Sequence, residues 1–360
     1  MLNLLRSTIA VLLALVLQVS AQSASPTAAG KPTLTKQNSG TTNRLQAVSP
    51  VDSQVVWASG VGGTFALTTD GGEHWQSRVI PGTENLQFRD VQGVSAKVAY
   101  VLSAGTGPDA RIYKTEDGGN TWTLEFQNQD HAKFYDCFAF WSPTRGITMA
   151  DSVNGRFPVI RTTNGQTWQD IGNRLPTALV GEAAFAASGT CVATQGKNRA
   201  WIGTGGSADA RILATTNGGN SWKAYNTPII QGTSTSGVTS VDFRDALHGI
   251  LGGGEILQPN DFSNNVARSS DGGKTWQLTT PTPFPGAVYG LSYASNASRS
   301  EASGSRTVVA TGPSGAAWTP DEGDTWFLLP EVVNYWAVAF ADPHTGWLVG
   351  TEGRILKVSF

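Results

Sequence analysis

Short apolar or alternating segments follow one another along almost the whole chain and are separated by turn-forming residues. The last repeat shows the pattern, with the segments 337–340, 347–350 and 354–357 separated by residues such as Pro343, Gly346 and Gly353. Segments of this length and patterning predict short β-strands packed into sheets. We therefore expect an all-β protein.

One turn recurs six times between these strands. The first copy is Thr-Thr-Asp-Gly-Gly-Glu-His-Trp from Thr68 to Trp75, and the Asp or Asn anchors of the copies are Asp70, Asp117, Asn164, Asn217, Asp271 and Asp321. Repeats of about 50 residues are typical of radially arranged sheets. The anchor side chain is expected to accept hydrogen bonds from turn amides, with glycines supplying positive φ angles. The copy at Asn164 is one residue shorter, which predicts a tighter turn.

Alignment on the second strand of each repeat indicates seven blades. One position of the first strand is small in six of seven copies: Ala47, Asp90, Cys137, Cys191, Ser240, Gly290 and Ala337. The next position is apolar in all of them: Val48, Val91, Phe138, Val192, Val241, Leu291 and Val338. We interpret the small residues as facing the crowded axis of a seven-bladed β-propeller, and the apolar ones as packing between blades.

The seventh copy reaches Phe360 before its turn and fourth strand. The alternating segment Thr33–Gln37 precedes the first blade, and we expect it to complete the last blade, which would remove an exposed sheet edge. The predicted organisation is a signal peptide at residues 1–21, a flexible tether at 22–32 and the propeller at 33–360.

The N-terminus indicates export. A basic start up to Arg6 is followed by an apolar run from Thr8 to Val19, too short to span a bilayer, and then by small residues before Gln22. We expect a protein of the periplasm or the extracellular space without a membrane span in its mature chain. The formal net charge of −2 leaves no basic excess for nucleic acid.

Metal and cofactor sites are not predicted. The turn carboxylates lie about fifty residues apart on different blades, and the four histidines are scattered singly. No glycine-rich segment follows a strand and opens a helix, so nucleotide binding has no support. Cys137 and Cys191 occupy the same register position on adjacent blades, so we expect their side chains not to meet; a disulfide, which an exported protein also favours, is the alternative.

The repeated turn matches the Asp-box, or bacterial neuraminidase repeat, Ser/Thr-x-Asp-x-Gly-x-Thr-Trp. From Leu45 to Phe360 the chain resembles the seven-bladed photosystem II stability and assembly factor-like propellers, in forms such as Ala-Val-x-Phe, Gly-Trp-x-Val-Gly and Ile-Leu-Lys. The stretches Gly181–Gly189 and Trp201–Gly206 resemble the bacterial, non-photosynthetic branch of that family. The resemblance implies a noncatalytic scaffold that assists the assembly or stability of a partner protein.

Two faces follow from this arrangement. The turn face carries the repeated turns; the loop face carries the connections that enter first strands and those that join second to third strands. On the loop face we expect a pocket for a protein partner or a glycan on a monomeric propeller. Its candidate ligand-binding residues are Arg89, Arg111, Tyr135, Asp136, Glu182, Arg211, Tyr289, Trp336 and Arg354. Local pairing of the arginines and plugging of the channel by the aromatics is the competing interpretation.

A glycoside hydrolase is the alternative function. A sialidase would use three arginines, a tyrosine nucleophile paired with a glutamate, and an acid/base aspartate; Tyr289 and Glu182 could fill two of these roles. The Arg-Ile-Pro motif of sialidases is missing, and Arg156-Phe157-Pro158 is the nearest string. A glucan hydrolase needs two facing acids, for which Asp136 and Glu182 are the candidates. The catalytic set is incomplete, so a noncatalytic module is our first interpretation.

Overall fold

The structure is a computed structural model that describes residues 30–296 and 304–360. Their strands form seven antiparallel sheets, which are the blades of a seven-bladed β-propeller, as predicted. The expected signal peptide and residues 22–29 of the expected tether lie outside the described residues. No helix in the described ranges is long and apolar enough to cross a membrane.

The strands follow one another blade by blade. The N-terminal strand is β1 (Thr33–Asn38), and blade 1 contains β2 (Leu45–Pro50), β3 (Val56–Gly60), β4 (Thr64–Thr68) and β5 (Gln76–Val79). Blade 2 contains β6 (Phe88–Gly93), β7 (Ala99–Ser103), β9 (Arg111–Thr115) and β10 (Thr123–Gln127). The short strand β8 (Gly105–Thr106) lies in the connection from β7 to β9 and pairs with the first strand of blade 3. Blade 3 contains β11 (Phe134–Ser142), β12 (Arg145–Ala150), β13 (Val159–Thr162) and β14 (Trp168–Asp170).

The second half of the ring repeats this arrangement. Blade 4 contains β15 (Val192–Gln195), β16 (Arg199–Gly203), β17 (Arg211–Thr215) and β18 (Lys223–Asn226). Blade 5 contains β19 (Ser236–Phe243), β20 (Gly249–Glu255), β21 (Val266–Ser269) and β22 (Gln277–Leu278). Blade 6 contains β23 (Gly290–Tyr293), β24 (Val308–Gly312), β25 (Gly315–Thr319) and β26 (Phe327–Leu328). Blade 7 contains β27 (Tyr335–Asp342), β28 (Thr345–Gly350) and β29 (Arg354–Ser359). The described helices are the 3-10 turns Gly107–Asp109, Gly172–Arg174 and Thr351–Gly353.

The N-terminal strand closes the ring, as the sequence predicted. β1 pairs with β29 over its whole length, from Thr33 opposite Ser359 to Asn38 opposite Arg354. Gln37 also fastens the last blade to the first: its Oε1 accepts hydrogen bonds from Trp75 Nε1 at 3.0 Å and from Trp347 Nε1 at 3.1 Å. Blade 7 therefore has four strands, drawn from both ends of the described chain.

The hydrophobic core is a ring of seven clusters, one between each pair of neighbouring blades. The small and apolar register residues of all seven first strands are buried. Burial of this kind holds sheet against sheet and leaves a narrow channel along the axis.

The repeated turns are built as expected. In the first copy Asp70 Oδ1 accepts hydrogen bonds from Thr68 Oγ1 at 2.8 Å and from the His74 amide at 2.9 Å, and Gly72 has a φ of 91°. In the shorter copy the Gly165 amide reaches Thr162 Oγ1 over three residues, whereas the other turns span four. The anchors are thus bound to their own turns, which is the structural role that the sequence indicated.

The expectation of free thiols is wrong. Cys137 and Cys191 form a disulfide, with their Cα atoms 6.1 Å apart, which is within the usual range for bridged cysteines. Cys137 lies inside β11, but Cys191 lies one residue before β15 begins at Val192. The backbone there is irregular, so the rotational equivalence that was assumed for the two side chains does not hold.

Candidate functional site

A β-bulge near the start of the first strand recurs around the loop face. In five blades the pairing of first and second strands shifts by one residue, and the extra residue lies directly before the small register residue; these residues are Gln46, Arg89, Asp136, Thr239 and Trp336. Tyr289 precedes the small residue of blade 6 in the same way, as Thr190 does in blade 4. A bulge re-aims a side chain, so the seven residues form a ring at the mouth of the channel, which we call the mouth ring.

One part of the mouth ring is aromatic and cationic. The rings of Tyr289 and Trp336 meet edge to face, with 5.1 Å between their centroids. Arg44, which directly precedes β2, places its guanidinium 4.5 Å from the centroid of the Trp336 ring. Burial lowers the pKa of Arg44, and burial raises the pKa of the Tyr289 phenol. These three side chains offer flat apolar surface beside a positive charge.

Another part of the mouth ring is acidic. Asp136 is buried, and its neighbour Asp151 lies just after β12, in the connection to the third strand. Burial raises the pKa of Asp151 to about 6, although the hydrogen bond from the Ala184 amide acts to lower it. Burial and the charge of Asp151 raise the pKa of Asp136, while Arg89 opposes this shift. The pair can thus hold a proton near neutral pH.

The segment Ala183–Thr190, which leads into blade 4, crosses the channel over this site. The Ala184 amide donates to Asp151 Oδ1 of blade 3 at 3.1 Å, and the Ala186 carbonyl accepts from Arg89 Nη1 of blade 2 at 3.3 Å. Ser188 Oγ donates to the Tyr289 carbonyl of blade 6 at 2.6 Å. Because blades 2 and 6 lie on different sides of the ring, this crossing segment closes the channel from the loop face.

Gly189 allows the crossing segment to lie close to blade 2. Its φ is 74°, and a Cβ atom at this position would stand 2.5 Å from Asp90 Oδ1. Beneath the segment, toward the turn face, a cavity of about 130 Å³ is lined by Asp90, Gly189, Thr190 and the first strands. The candidate site therefore has a floor and does not open into a through channel.

Several polar atoms near the mouth ring have no hydrogen-bond partner within the described ranges. They are both polar side-chain atoms of Gln46, Asp136 Oδ2 and Arg44 Nε. Gln46 is 0% exposed and Asp136 is 2% exposed. Leaving such a group buried and unpaired costs about 1–3 kcal/mol of stability, and the exposure of these atoms is too small for direct contact with a ligand.

Glu182 and Arg211 meet each other and do not face an open pocket. Arg211 Nε donates to Glu182 Oε1 at 2.9 Å, and Arg211 Nη2 pairs with Glu182 Oε2. Thr204 Oγ1 and the Leu179 amide also donate to this carboxylate, at 2.6 and 2.8 Å. The pair ties the segment that precedes the crossing segment to blade 4.

Three other predicted site residues lie apart from the mouth ring. Arg111 donates to the Pro108 carbonyl at 2.6 Å and to the Tyr113 hydroxyl at 3.1 Å. Tyr135 is buried and packs edge to face on Phe126. Arg354 pairs with the exposed Glu352 at 2.6 Å. Of the nine predicted site residues, the structure thus brings four together at the mouth ring: Arg89, Asp136, Tyr289 and Trp336.

Sequence reasoning missed Arg44, Gln46, Asp151 and the role of the crossing segment. Gln46 had a detectable signal, because it directly precedes a small register residue, as Arg89 and Asp136 do. Asp151 opens one of the long connections on the loop face and was visible there. Arg44 carried no comparable signal, since it lies before the first strand of the first blade.

Solved β-propellers share this architecture. No protein-family profile matches the chain, and no curated protein matches it in sequence. A solved structure described as YCF48 bound to D1 peptide is similar over 92% of this chain and 96% of its own, with a TM-score of 0.61 and 16% identity. YCF48 from Cyanidioschyzon merolae covers 91% of this chain and 98% of its own, with a TM-score of 0.60 and 16% identity.

An enzyme shares the architecture as well. A catalytically inactive virginiamycin B lyase from Staphylococcus aureus with quinupristin covers 92% of this chain and 100% of its own, with a TM-score of 0.56 and 13% identity. The chain is a β-propeller scaffold. At these identities the likeness shows the fold alone, and the same fold serves unrelated functions.

Proposed function

We propose that this protein is a noncatalytic binding module that holds a segment of a partner protein at the mouth ring. The observation that carries the proposal is the edge-to-face pair of Tyr289 and Trp336 beside the half-buried guanidinium of Arg44. A bound segment would pack on these two rings and would place a carbonyl or a carboxylate near the Arg44 guanidinium.

A polypeptide suits these groups chemically. The rings of Tyr289 and Trp336 can pack on side chains of a bound segment. The guanidinium of Arg44 can reach a carbonyl or a carboxylate while it remains stacked on Trp336. YCF48, which has been solved with a D1 peptide, shares the whole-chain architecture, and this supports a peptide by analogy of fold.

We further propose that the protein is exported and assists the assembly or stability of its partner. The Cys137–Cys191 disulfide supports export, because such bonds persist mainly in oxidising compartments. The rigid closed ring supports a role as a holder, since a preorganised surface loses little freedom on binding. The resemblance to bacterial members of the assembly-factor family points in the same direction.

The test is selection of peptides by the purified protein. A library of random twelve-residue peptides displayed on phage is panned on the wild type, and the enriched peptides are measured by calorimetry against Arg44→Gln and Tyr289→Ala variants. We expect each change to weaken binding about tenfold or more, as hot-spot residues do. Arg111→Ala, elsewhere on the loop face, should bind like the wild type. Absence of any enriched peptide, or equal binding by all variants, would refute the proposal.

The glycoside hydrolase is the weaker candidate. Glu182 would have to act as an acid or base, but its side chain is 0% exposed and already accepts from Arg211, Thr204 and Leu179. Incubation with sialosides and β-glucans tests this directly. Turnover that disappears in Glu182→Gln or Tyr289→Phe would replace the binding proposal with a catalytic one.

A further inference from the structure

Three arginines stand together where blade 3 meets the repeated turn of blade 4. Arg161 Nη1 donates to the Gly218 carbonyl at 2.7 Å and to Asn220 Oδ1 at 3.1 Å. Arg174 Nη1 donates to the same Asn220 oxygen at 2.8 Å. Two guanidinium groups therefore converge on one uncharged oxygen.

Arg145 completes the group. Its Nη1 donates to the Lys197 carbonyl at 3.2 Å, and its Nη2 lies 3.4 Å from Asn198 Oδ1. Within residues 30–296 and 304–360, none of the three arginines forms an ion pair with a carboxylate. Lys197, whose carbonyl accepts from Arg145, has an exposed side chain. We call Arg145, Arg161 and Arg174 the arginine cluster.

Two equivalent basic residues of other blades are paired with carboxylates, whereas Lys357 of blade 7 donates to the Gly71 carbonyl at 3.1 Å. Lys114 of blade 2 pairs with Glu116 at 2.6 Å, and Arg268 of blade 5 pairs with Asp324 at 2.8 Å. Arg161 occupies the same position of its third strand but contacts neutral groups. The anchors of the adjoining turns are also neutral, because blades 3 and 4 carry Asn164 and Asn217 where the other four copies carry aspartate.

The cluster is electrostatically unfavourable as it stands. Burial lowers the pKa of Arg161, and the positive charges of Arg174 and Arg145 lower it further. Like charges held together repel one another, and the repulsion is largest where solvent screening is reduced. A bound anion would turn this repulsion into attraction.

We propose that the arginine cluster binds an oxyanion of the phosphate or sulfate type, at a site separate from the mouth ring. Guanidinium groups that converge from three chain segments suit a ligand with several oxygens on one central atom. Gly218 lies beside them, and even a Cβ atom there would approach Arg145 Nη2 to 3.1 Å. The same group could arrive as a free anion or on a lipid headgroup or a sulfated glycan.

The experiment measures the effect of inorganic phosphate and sulfate on the purified protein at constant ionic strength, with chloride as the reference anion. In the wild type we expect both anions to raise the thermal midpoint. In an Arg161→Gln/Arg174→Gln double variant the apparent dissociation constant should rise about a hundredfold, since each charge-assisted contact is worth roughly tenfold.

The matched control is Arg268→Gln, which removes the same kind of residue from the same strand position on blade 5. It should keep the full response to phosphate, and Arg161→Lys should keep part of it. Circular dichroism in chloride shows whether the double variant is folded. Vesicles containing phosphatidylglycerol and a sulfated oligosaccharide then distinguish the carriers. No response to either anion, or an equal response in the double variant, would overturn the proposal.

Discussion

The guanidinium of Arg44 lies 4.5 Å from the centroid of the Trp336 ring, and this contact joins the first blade to the last at the mouth of the channel. It places a cation on one side of Trp336, while Tyr289 meets the ring from another direction. The segment before β2 and the bulge of β27 thus build one surface, although they are nearly the whole chain apart.

Removing the indole should affect binding more than folding. For Trp336→Ala we expect the affinity for a peptide selected on the wild type to fall at least about tenfold. The lost cation–π and ring contacts should lower the free energy of unfolding by about 1–3 kcal/mol. Calorimetry and urea unfolding measure the two effects. Trp326→Ala, at a half-buried tryptophan of a repeated turn, is the control and should lose stability without losing affinity.

The parts of this molecule that sequence predicts well are those fixed by local rules. The anchor of each turn binds its own neighbours, as Asp70 binds Thr68 and His74, so a stretch of seven residues suffices to specify it. The small register residue is required by crowding at the axis. Because Arg89, Asp136, Tyr289 and Trp336 directly precede such residues, the pattern also indicated part of the site.

The remaining features depend on irregular backbone. The crossing segment Ala183–Thr190 has no periodicity, and its position is set by single contacts such as Ser188 to Tyr289 and Ala186 to Arg89. The disulfide was mispredicted for the same reason, because Cys191 lies at the end of this segment and not within a strand. Pairwise contacts of this kind leave no repeat in the sequence from which they could be predicted.

The closure of the ring gives a second prediction. Gln37 links blades 1 and 7, since it accepts from Trp75 and Trp347 and donates to the Gly71 carbonyl at 3.1 Å. Gln37→Ala should lower the free energy of unfolding by about 1–3 kcal/mol, because it leaves the indole N–H groups of two buried tryptophans without a partner. Urea denaturation of the variant measures this loss.

Lys36→Ala is the matched control for Gln37→Ala, because Lys36 lies on the same strand and its side chain is exposed. Its unfolding free energy should stay within about 0.5 kcal/mol of the wild type. Truncation gives an independent check: deleting residues 32–38 should lower the thermal midpoint more than deleting residues 22–31. Equal midpoints for the two truncations would contradict the role of β1 as the closing strand.

The acidic pair at the mouth ring gives a third prediction. Asp151 has a pKa of about 6, raised by burial from its ordinary value of 3.8. At a pH between 3.8 and about 6, the folded protein binds more protons at this site than the unfolded chain does. The contribution of Asp151 to stability therefore falls as pH rises through this interval, and above about pH 6 its full cost is about 1–3 kcal/mol.

Asp151→Asn removes this titration. The unfolding free energy of the variant minus that of the wild type should rise from about pH 4 to about pH 7, and urea unfolding across this range measures it. Asp170→Asn is the control, because the Asp170 carboxylate lies at the surface beside Arg156, at 2.7 Å. The unfolding free energy of Asp170→Asn should differ from that of the wild type by no more than about 1 kcal/mol. A flat difference for Asp151→Asn would show that burial does not raise the pKa of this group.

The disulfide gives the fourth prediction, which concerns both stability and the site. Cys137 and Cys191 are 54 residues apart in sequence, and a cross-link across a loop of that size stabilises a fold by about 4 kcal/mol. Alkylation of the denatured protein without reductant should label neither cysteine, and labelling after reduction should modify both.

The Cys137→Ala/Cys191→Ala variant should lose most of that stabilisation in urea unfolding. It should also bind a selected peptide more weakly, because Cys191 anchors the end of the crossing segment that covers Arg89 and Asp151. Two labelled thiols in the unreduced protein would contradict the bond, and unchanged peptide affinity in a folded double variant would separate the crossing segment from the site.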